Sequence, residues 1–188
     1  MCKAKVDIAF VIDIAGGAKR NFNSIKKFFL ELVDSFTISS QDVRIGLVVN
    51  SYSPVVKLSF GQYNSPRKIK NVIKLLQPVG GERKTGEALK LALKRLFIAS
   101  KGKKTLIFLT AGKSSDKVLG PVQQLVAMGV NIFSIGVMPG AIRSEVLTIA
   151  KNPQHAYETN FRSLGTIAKR VKDKACAGVY RGPQQHCV

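Results

Sequence analysis

Apolar positions recur along the chain in two alternating rhythms. Val6 to Ile12 (VDIAFVI) is a short β-branched and aromatic run that ends at Asp13 and is broken by Ala15-Gly16-Gly17. Residues 21–36 then carry Phe22, Ile25, Phe28, Phe29, Leu32, Val33 and Phe36. That spacing predicts a helix with one apolar face. Val43 to Asn50 (VRIGLVVN) reads as a second strand, and Val55 to Phe60 (VVKLSF) as a third that alternates and lies near a sheet edge. Ser65-Pro66 opens a helix with Ile69, Val72, Ile73 and Leu76 inward, which Pro78 and Gly80-Gly81 end. A further helix is predicted from Thr85 to Ser100, with Leu89, Leu93, Leu96 and Phe97 on its apolar side.

Thr105 to Thr110 (TLIFLT) is the most apolar strand, which marks it as central and parallel. Residues 115–128 are expected to be helical, with Gly129 as the C-cap. Val130 to Val137 is a fifth strand, Ser144 to Ala150 a short helix, Ala156 to Glu158 a sixth strand, and Ser163 to Lys174 the last helix. Strands alternating with helices argue for an α/β fold: a mostly parallel six-stranded sheet with helices on both faces. The expected organisation is a lead of residues 1–5, one domain over 6–175, and an aperiodic tail over 176–188.

Composition narrows the class. At 188 residues the chain has the length of one domain with a sizeable core. No apolar run approaches the roughly 18 residues of a membrane span. The start runs directly from Met1-Cys2-Lys3 into a strand pattern, which fits an excised domain behind a start Met, or a cytosolic protein. Cys2 and Cys176 bracket the periodic region, and Cys187 sits in the tail. A bridge between the domain ends fits an oxidising compartment, whereas three free thiols fit a reducing one. The 30 Lys+Arg against 11 Asp+Glu leave a net charge of +19, which attracts polyanions without saying which.

In an open α/β sheet, ligands collect at the carboxyl ends of the strands. The loops there are Asp13 to Gly17, Gly80 to Thr85, Ala111 to Ser115 and Met138 to Ala141. Gly112-Lys113-Ser114 resembles the end of a phosphate-binding loop, but the required earlier Gly falls on Ile107, so the triplet reads as a turn. Asp13 to Gly17 is no GxGxxG loop. A hydrolase triad would have to be built from His155 alone, which is better explained as a structural residue. Asp13 has no second carboxylate for acid–base work.

These segments together do resemble one family. DIAFVID with its small-residue loop and helix, VRIGLVVNSYS, GGERKTGEAL and LIFLTAGKSSD occur in the order of a von Willebrand factor A domain, over residues 6–175. The details are most similar to A domains of matrix collagens, especially collagen VI chains. The resemblance implies a doubly wound, Rossmann-like sheet, an extracellular address, a role in adhesion, and closure of the domain ends by Cys2–Cys176. It also implies a metal-ion-dependent adhesion site of pattern DxSxS, a Thr and a second Asp. Position by position, Asp13 and Thr85 match, whereas Ala15, Gly17 and Ala111 stand where the other oxygen donors belong. Mg²⁺ wants six oxygens in near-octahedral geometry. One carboxylate and one hydroxyl are too few, so no metal and no cofactor is expected. Asp13 and Thr85 are then fold residues, with Thr85 capping the next helix. Arg83 or Lys113 is expected to fill the vacated place and pair with Asp13.

Residues 60–104 hold twelve Lys or Arg against two Glu. A candidate polyanion surface therefore comprises Arg67, Lys68, Lys70, Lys74, Lys90, Lys94, Arg95, Lys101, Lys103 and Lys104, with a second run of Lys169, Arg170 and Lys172. The expected function is a non-enzymatic module of a secreted, collagen VI-like matrix chain. It would contact other matrix proteins, collagen chains or a sulfated glycosaminoglycan, with no small-molecule substrate and no membrane insertion. Two other readings stand beside it: a cytosolic A-like domain that binds RNA or another polyanion, and a small α/β enzyme using Asp13. The first lacks the aromatic positions that stack bases.

Overall fold

Period-two alternation in β1 (Val6–Asp13) sends Val6, Ile8, Phe10 and Ile12 to one side and Ala9 and Val11 to the other, and both sides are buried. A strand covered on both faces belongs in the middle of a parallel sheet, and β1 does lie there. The computed structural model describes residues 5–15 and 21–177, with side chains to residue 175. Position 17, the Cys2–Cys176 bridge, Cys187 and the segment from 178 onward lie outside the described residues.

The six strands are ordered β3-β2-β1-β4-β5-β6, with β2 (Val43–Asn50), β3 (Val55–Leu58), β4 (Lys103–Thr110), β5 (Val130–Val137) and β6 (Ala156–Thr159). All neighbours are parallel except β2 and β3. Helices α1 (Phe22–Ser35), α2 (Pro66–Leu75) and α6 (Leu164–Ala177) cover one face, packed through Phe28, Phe29, Ile69, Ile73, Ile167 and Val171. Helices α3 (Thr85–Ala92), α4 (Leu119–Ala127) and α5 (Arg143–Ala150) cover the other, through Leu89, Phe97, Val122, Leu125 and Ile149. This is the doubly wound sheet that the alternating pattern and the resemblance imply. Its switch point, where the chain turns from one side of the sheet to the other, lies between β1 and β4.

Several boundaries differ from the sequence expectations, each for a local reason. β3 stops at Leu58, and Phe60 folds back to lie 5.6 Å from the Phe97 ring. The helix expected over 85–100 is α-helical only to Ala92 and continues as a π-helical turn, Leu93–Phe97. The helix expected from 115 begins at Leu119, because Ser114 to Asp116 bond to another helix instead. Gly129 ends α4 at φ +75°, the left-handed position that glycine adopts without strain.

One core contact had no sequence signal. Asp7 is 2% exposed, and Arg44 stands opposite it in the β1–β2 register. Arg44 Nε and Nη2 donate to its two carboxylate oxygens at 2.7 and 2.6 Å, and the Ser100 hydroxyl donates to it as well. The bond to Asp7 holds the Arg44 guanidinium pKa above its ordinary value. Removing one partner of a buried pair strands the other charge. Arg44→Ala is therefore expected to lower stability by about 3–5 kcal/mol in urea unfolding. A loss under about 1 kcal/mol, the scale of a surface pair, would show that water screens the site.

Candidate functional site

At the switch point the chain must bury the carboxylate that ends β1. Asp13 is 0% exposed. Burial of an ionised carboxylate is costly unless it is paired and hydrogen-bonded, and here every contact needed is supplied. The Ala15 N–H donates to Oδ1 at 2.9 Å, and the Ala111 N–H donates to Oδ2 at 2.9 Å. The Thr110 hydroxyl lies 3.2 Å from Oδ2 and donates at 2.8 Å to the Gly112 carbonyl. The countercharge is Arg83, whose Nε donates to Oδ2 at 2.6 Å. Its Nη2 donates to the Ala15 carbonyl at 2.7 Å, and its side chain is only 11% exposed. Of the two cations expected near Asp13, Arg83 takes the place, while Lys113 stays exposed.

Arg83 is held there by its own backbone. The loop before it docks on β1, with the Val79 N–H bonded to the Ile14 carbonyl at 2.7 Å. The Arg83 carbonyl accepts from the Ser115 N–H at 2.8 Å and the Ser115 hydroxyl at 3.0 Å. Gly112 makes room. A Cβ there would come within 2.4 Å of Arg83 Nη1 and 2.6 Å of Cζ. The sequence TAG after β4 thus offers a glycine surface to the guanidinium.

Thr85 does not cap its helix, contrary to expectation. It is the first residue of α3, and its Oγ1 accepts from Asn50 Nδ2 at 2.9 Å. The free N–H groups of that helix are met from the β4–α4 loop. Thr85 N–H donates to Ser114 Oγ at 3.1 Å, Gly86 N–H to Asp116 Oδ1 at 2.7 Å, and Glu87 N–H to Asp116 Oδ2 at 2.9 Å. An acidic group at a helix N-terminus satisfies both the orphan donors and the dipole. Gly86 permits the approach, because a Cβ would lie 2.2 Å from the Lys117 carbonyl oxygen. The Ser114 N–H is bonded in turn to Glu145, whose carboxyl pKa is raised by burial. Ser114 and Asp116 were legible only as turn residues, since their partner lies some thirty positions away.

This donor set does not fit a hard dication. The Asp13 oxygens are engaged by three N–H donors, and Ala15 and Ala111 supply backbone groups only. A dication ~4 Å from the guanidinium would meet a repulsion of order 8 kcal/mol even at an effective dielectric constant of 20.

The basic residues separate in space. Arg67, Lys68, Lys70 and Lys74 lie on α2, and Lys169, Arg170 and Lys172 on α6, with α1 between the two helices. Lys90 and Lys94 lie on the opposite face, on α3 and its π-helical turn, as does Arg95. Lys101, Lys103 and Lys104 gather at the amino end of β4, far from Asp13 along the strands. Several are already engaged: Lys70 with Asp34 at 2.5 Å, Lys90 with Glu87 at 3.7 Å, Lys172 with Asp173 at 3.8 Å, and Arg170 over the Tyr157 ring.

His155 stacks on Phe133 at 4.3 Å, and Lys174 faces it from α6. Burial first, then the Lys174 charge, pushes its pKa below the ordinary value. These contacts fit the structural role expected for it.

With that geometry in place, known proteins supply the family. The von Willebrand factor type A domain profile matches residues 7–170, and the chain belongs to that family. It is 32% identical over 181 residues to mouse vitrin, 28% identical over 180 to chicken matrilin-1, and 28% identical over 179 to the human collagen alpha-1(XXI) chain. It is spanned to 93%, 91% and 92% in these matches, but covers only 28%, 36% and 19% of those proteins. Among solved structures, proximal thread matrix protein 1 of the mussel byssus, with a zinc-occupied adhesion motif, superimposes with a TM-score of 0.88 at 27% identity. That match covers 93% of this chain and 46% of the mussel protein. Manganese-loaded TRAP protein of Plasmodium vivax shares the fold with a TM-score of 0.75 at 19% identity, covering 92% and 75%.

Arg83→Ala leaves Asp13 buried without a countercharge and is expected to cost about 3–5 kcal/mol in urea unfolding. Adding Asp13→Asn should recover part of the loss. A double variant no more stable than the single one would mean that the pair does not carry the effect. The neutral imidazole of His155 is favoured in the folded state. Its contribution is therefore fully present above its ordinary pKa of 6.5 and is lost as pH falls below it. The wild-type unfolding midpoint should drop between pH 7.5 and 5.5 by more than that of His155→Gln; equal drops would refute the assignment.

Proposed function

We propose that this domain is a metal-independent interaction module of a secreted, collagen VI-like matrix chain. The observation that carries the reading is the Arg83 guanidinium on Asp13, an internal cation where the family's adhesion site takes a metal ion. Collagen chains and a byssal thread matrix protein among the similar proteins support the matrix address and contacts with other matrix proteins or collagen chains. The saturated Asp13 carboxylate supports a non-enzymatic role, since its oxygens already accept from three donors. Closure of the domain by Cys2–Cys176 belongs to the same proposal. So does a basic surface that binds sulfated glycosaminoglycan in preference to nucleic acid, which would need aromatic side chains for stacking.

Thermal unfolding with and without millimolar Mg²⁺ or Mn²⁺ tests the central point. A site with a Kd a hundredfold below the ion concentration adds about 2.7 kcal/mol, or roughly 5–10 °C for a chain of this size. The expected shift is under about 1 °C, and a shift of several degrees would refute metal independence. Adhesion to matrix proteins should equally survive chelation.

A further inference from the structure

The end of the sheet opposite Asp13 holds a cavity of about 190 Å³. Its floor is Phe60 and Leu96, and its walls include Arg44, Arg95, Ser59 and Ser100. Among the described residues no acidic side chain lines it, and the buried Asp7 carboxylate behind it is bonded to Arg44 and Ser100. Gly46 allows this floor, because a Cβ there would lie 2.9 Å from both Phe60 and Leu96. The π-helical turn Leu93–Phe97 places Arg95 on the wall, and Arg44 reaches over the Phe60 ring at 6.0 Å.

Charge at this end is unbalanced by design of the register. Arg44, Asp7 and Lys104 are partners on three adjacent strands, β2, β1 and β4. The one carboxylate takes two bonds from Arg44 and one from Ser100. Lys104 Nζ instead lies 3.4 Å from the Gly102 carbonyl, and Lys101 is exposed beside it. Arg95 is also exposed. Asp7 thus answers Arg44, while Arg95 stands on the cavity wall and Lys101 and Lys104 stand at the amino end of β4.

The size limits the occupant. At ~30 Å³ per water, the cavity holds roughly six water volumes, below the 300–1,000 Å³ of pockets that enclose a whole small molecule. It suits one anionic group, with the rest of the ligand outside. Arginine forks match tetrahedral oxyanions through paired N–H donors. We propose that this cavity receives one sulfate group of an extracellular sulfated polysaccharide, with the Arg95 fork and Arg44 Nη1, the nitrogen not bonded to Asp7, as donors, and with Lys101 and Lys104 at the amino end of β4 holding neighbouring sulfates. The proposal rests on the polyanion-binding part of the function given above and gives it a place. The groove between α1 and α6 is a weaker candidate, because Glu31 stands in its middle and would repel the chain.

Calorimetry with a heparin octasaccharide, its desulfated counterpart and polyglutamate tests it on the 188-residue chain. Arg95→Lys keeps the charge and loses the fork, and is expected to weaken heparin binding about fivefold. Lys101→Gln with Lys104→Gln should weaken it more than about tenfold. Lys113→Gln with Lys117→Gln, which removes the same charge at the carboxyl end of β4, should change it less than about twofold. Unchanged urea midpoints for the Arg95 and lysine variants establish that folding is intact. Equal losses from the pairs at the two ends of β4 would overturn the site while leaving polyanion binding in place. A wild-type chain that ignores heparin would overturn polyanion binding itself. Desulfated heparin or polyglutamate binding as tightly as heparin would overturn the assignment of sulfate.

Discussion

A carboxylate with no exposure sits at the point where the order of the strands reverses, and its charge has to be answered from inside the protein. Arg83 answers it at 2.6 Å. For the guanidinium to reach Asp13, the loop before α3 must dock on β1, which it does through Val79 and Ile14. Docking that loop sets where α3 begins. The start of α3 then receives Ser114 and Asp116 from the loop after β4. One ion pair therefore ties three crevice loops into a single arrangement, and the glycines at 86 and 112 are the spaces that let them close.

An internal cation differs from a bound one in consequence. A metal ion exchanges with solvent and has open coordination positions for a ligand oxygen. A guanidinium on a covalent tether is always present, and its fork is already committed to Asp13 and Ala15. The zinc-occupied byssal relative shows the same fold carrying an ion at its adhesion motif. In the present chain the proposed contacts are with side chains around and away from the crevice.

That potential has a structure of its own. Read along the chain, the basic residues of 60–104 form one cluster. In space, the sheet divides them into an α2 group beside α1, an α3 group on the other face, and a β4 group at the amino end of the strands. Several α-helical lysines meet acidic neighbours, and two arginines line a cavity at the amino end of the sheet. A uniform surface charge would favour no polyanion orientation. The proposed concave site would favour one.

Periodicity was sufficient for the elements and the α/β class, and the resemblance supplied the doubly wound arrangement. The two rhythms of apolar residues located six strands and six helices, because core burial imposes a period of two on strands and 3.6 on helices wherever the chain lies. Set against the motif that the resemblance implies, Ala15 and Ala111 stand where oxygen donors belong, since ligand identity is written directly in residue type. What position in the chain cannot express is which distant groups meet. The choice of Arg83 over Lys113 followed from the path of a loop and the absence of a side chain at Gly112. The capping of α3 by Asp116, and with it the late start of α4, followed from two loops arriving at one place. The burial of Asp7 against Arg44 came from strand register. Each of these is a contact between charged or polar groups with no periodic signature, so only the packed sheet could decide it.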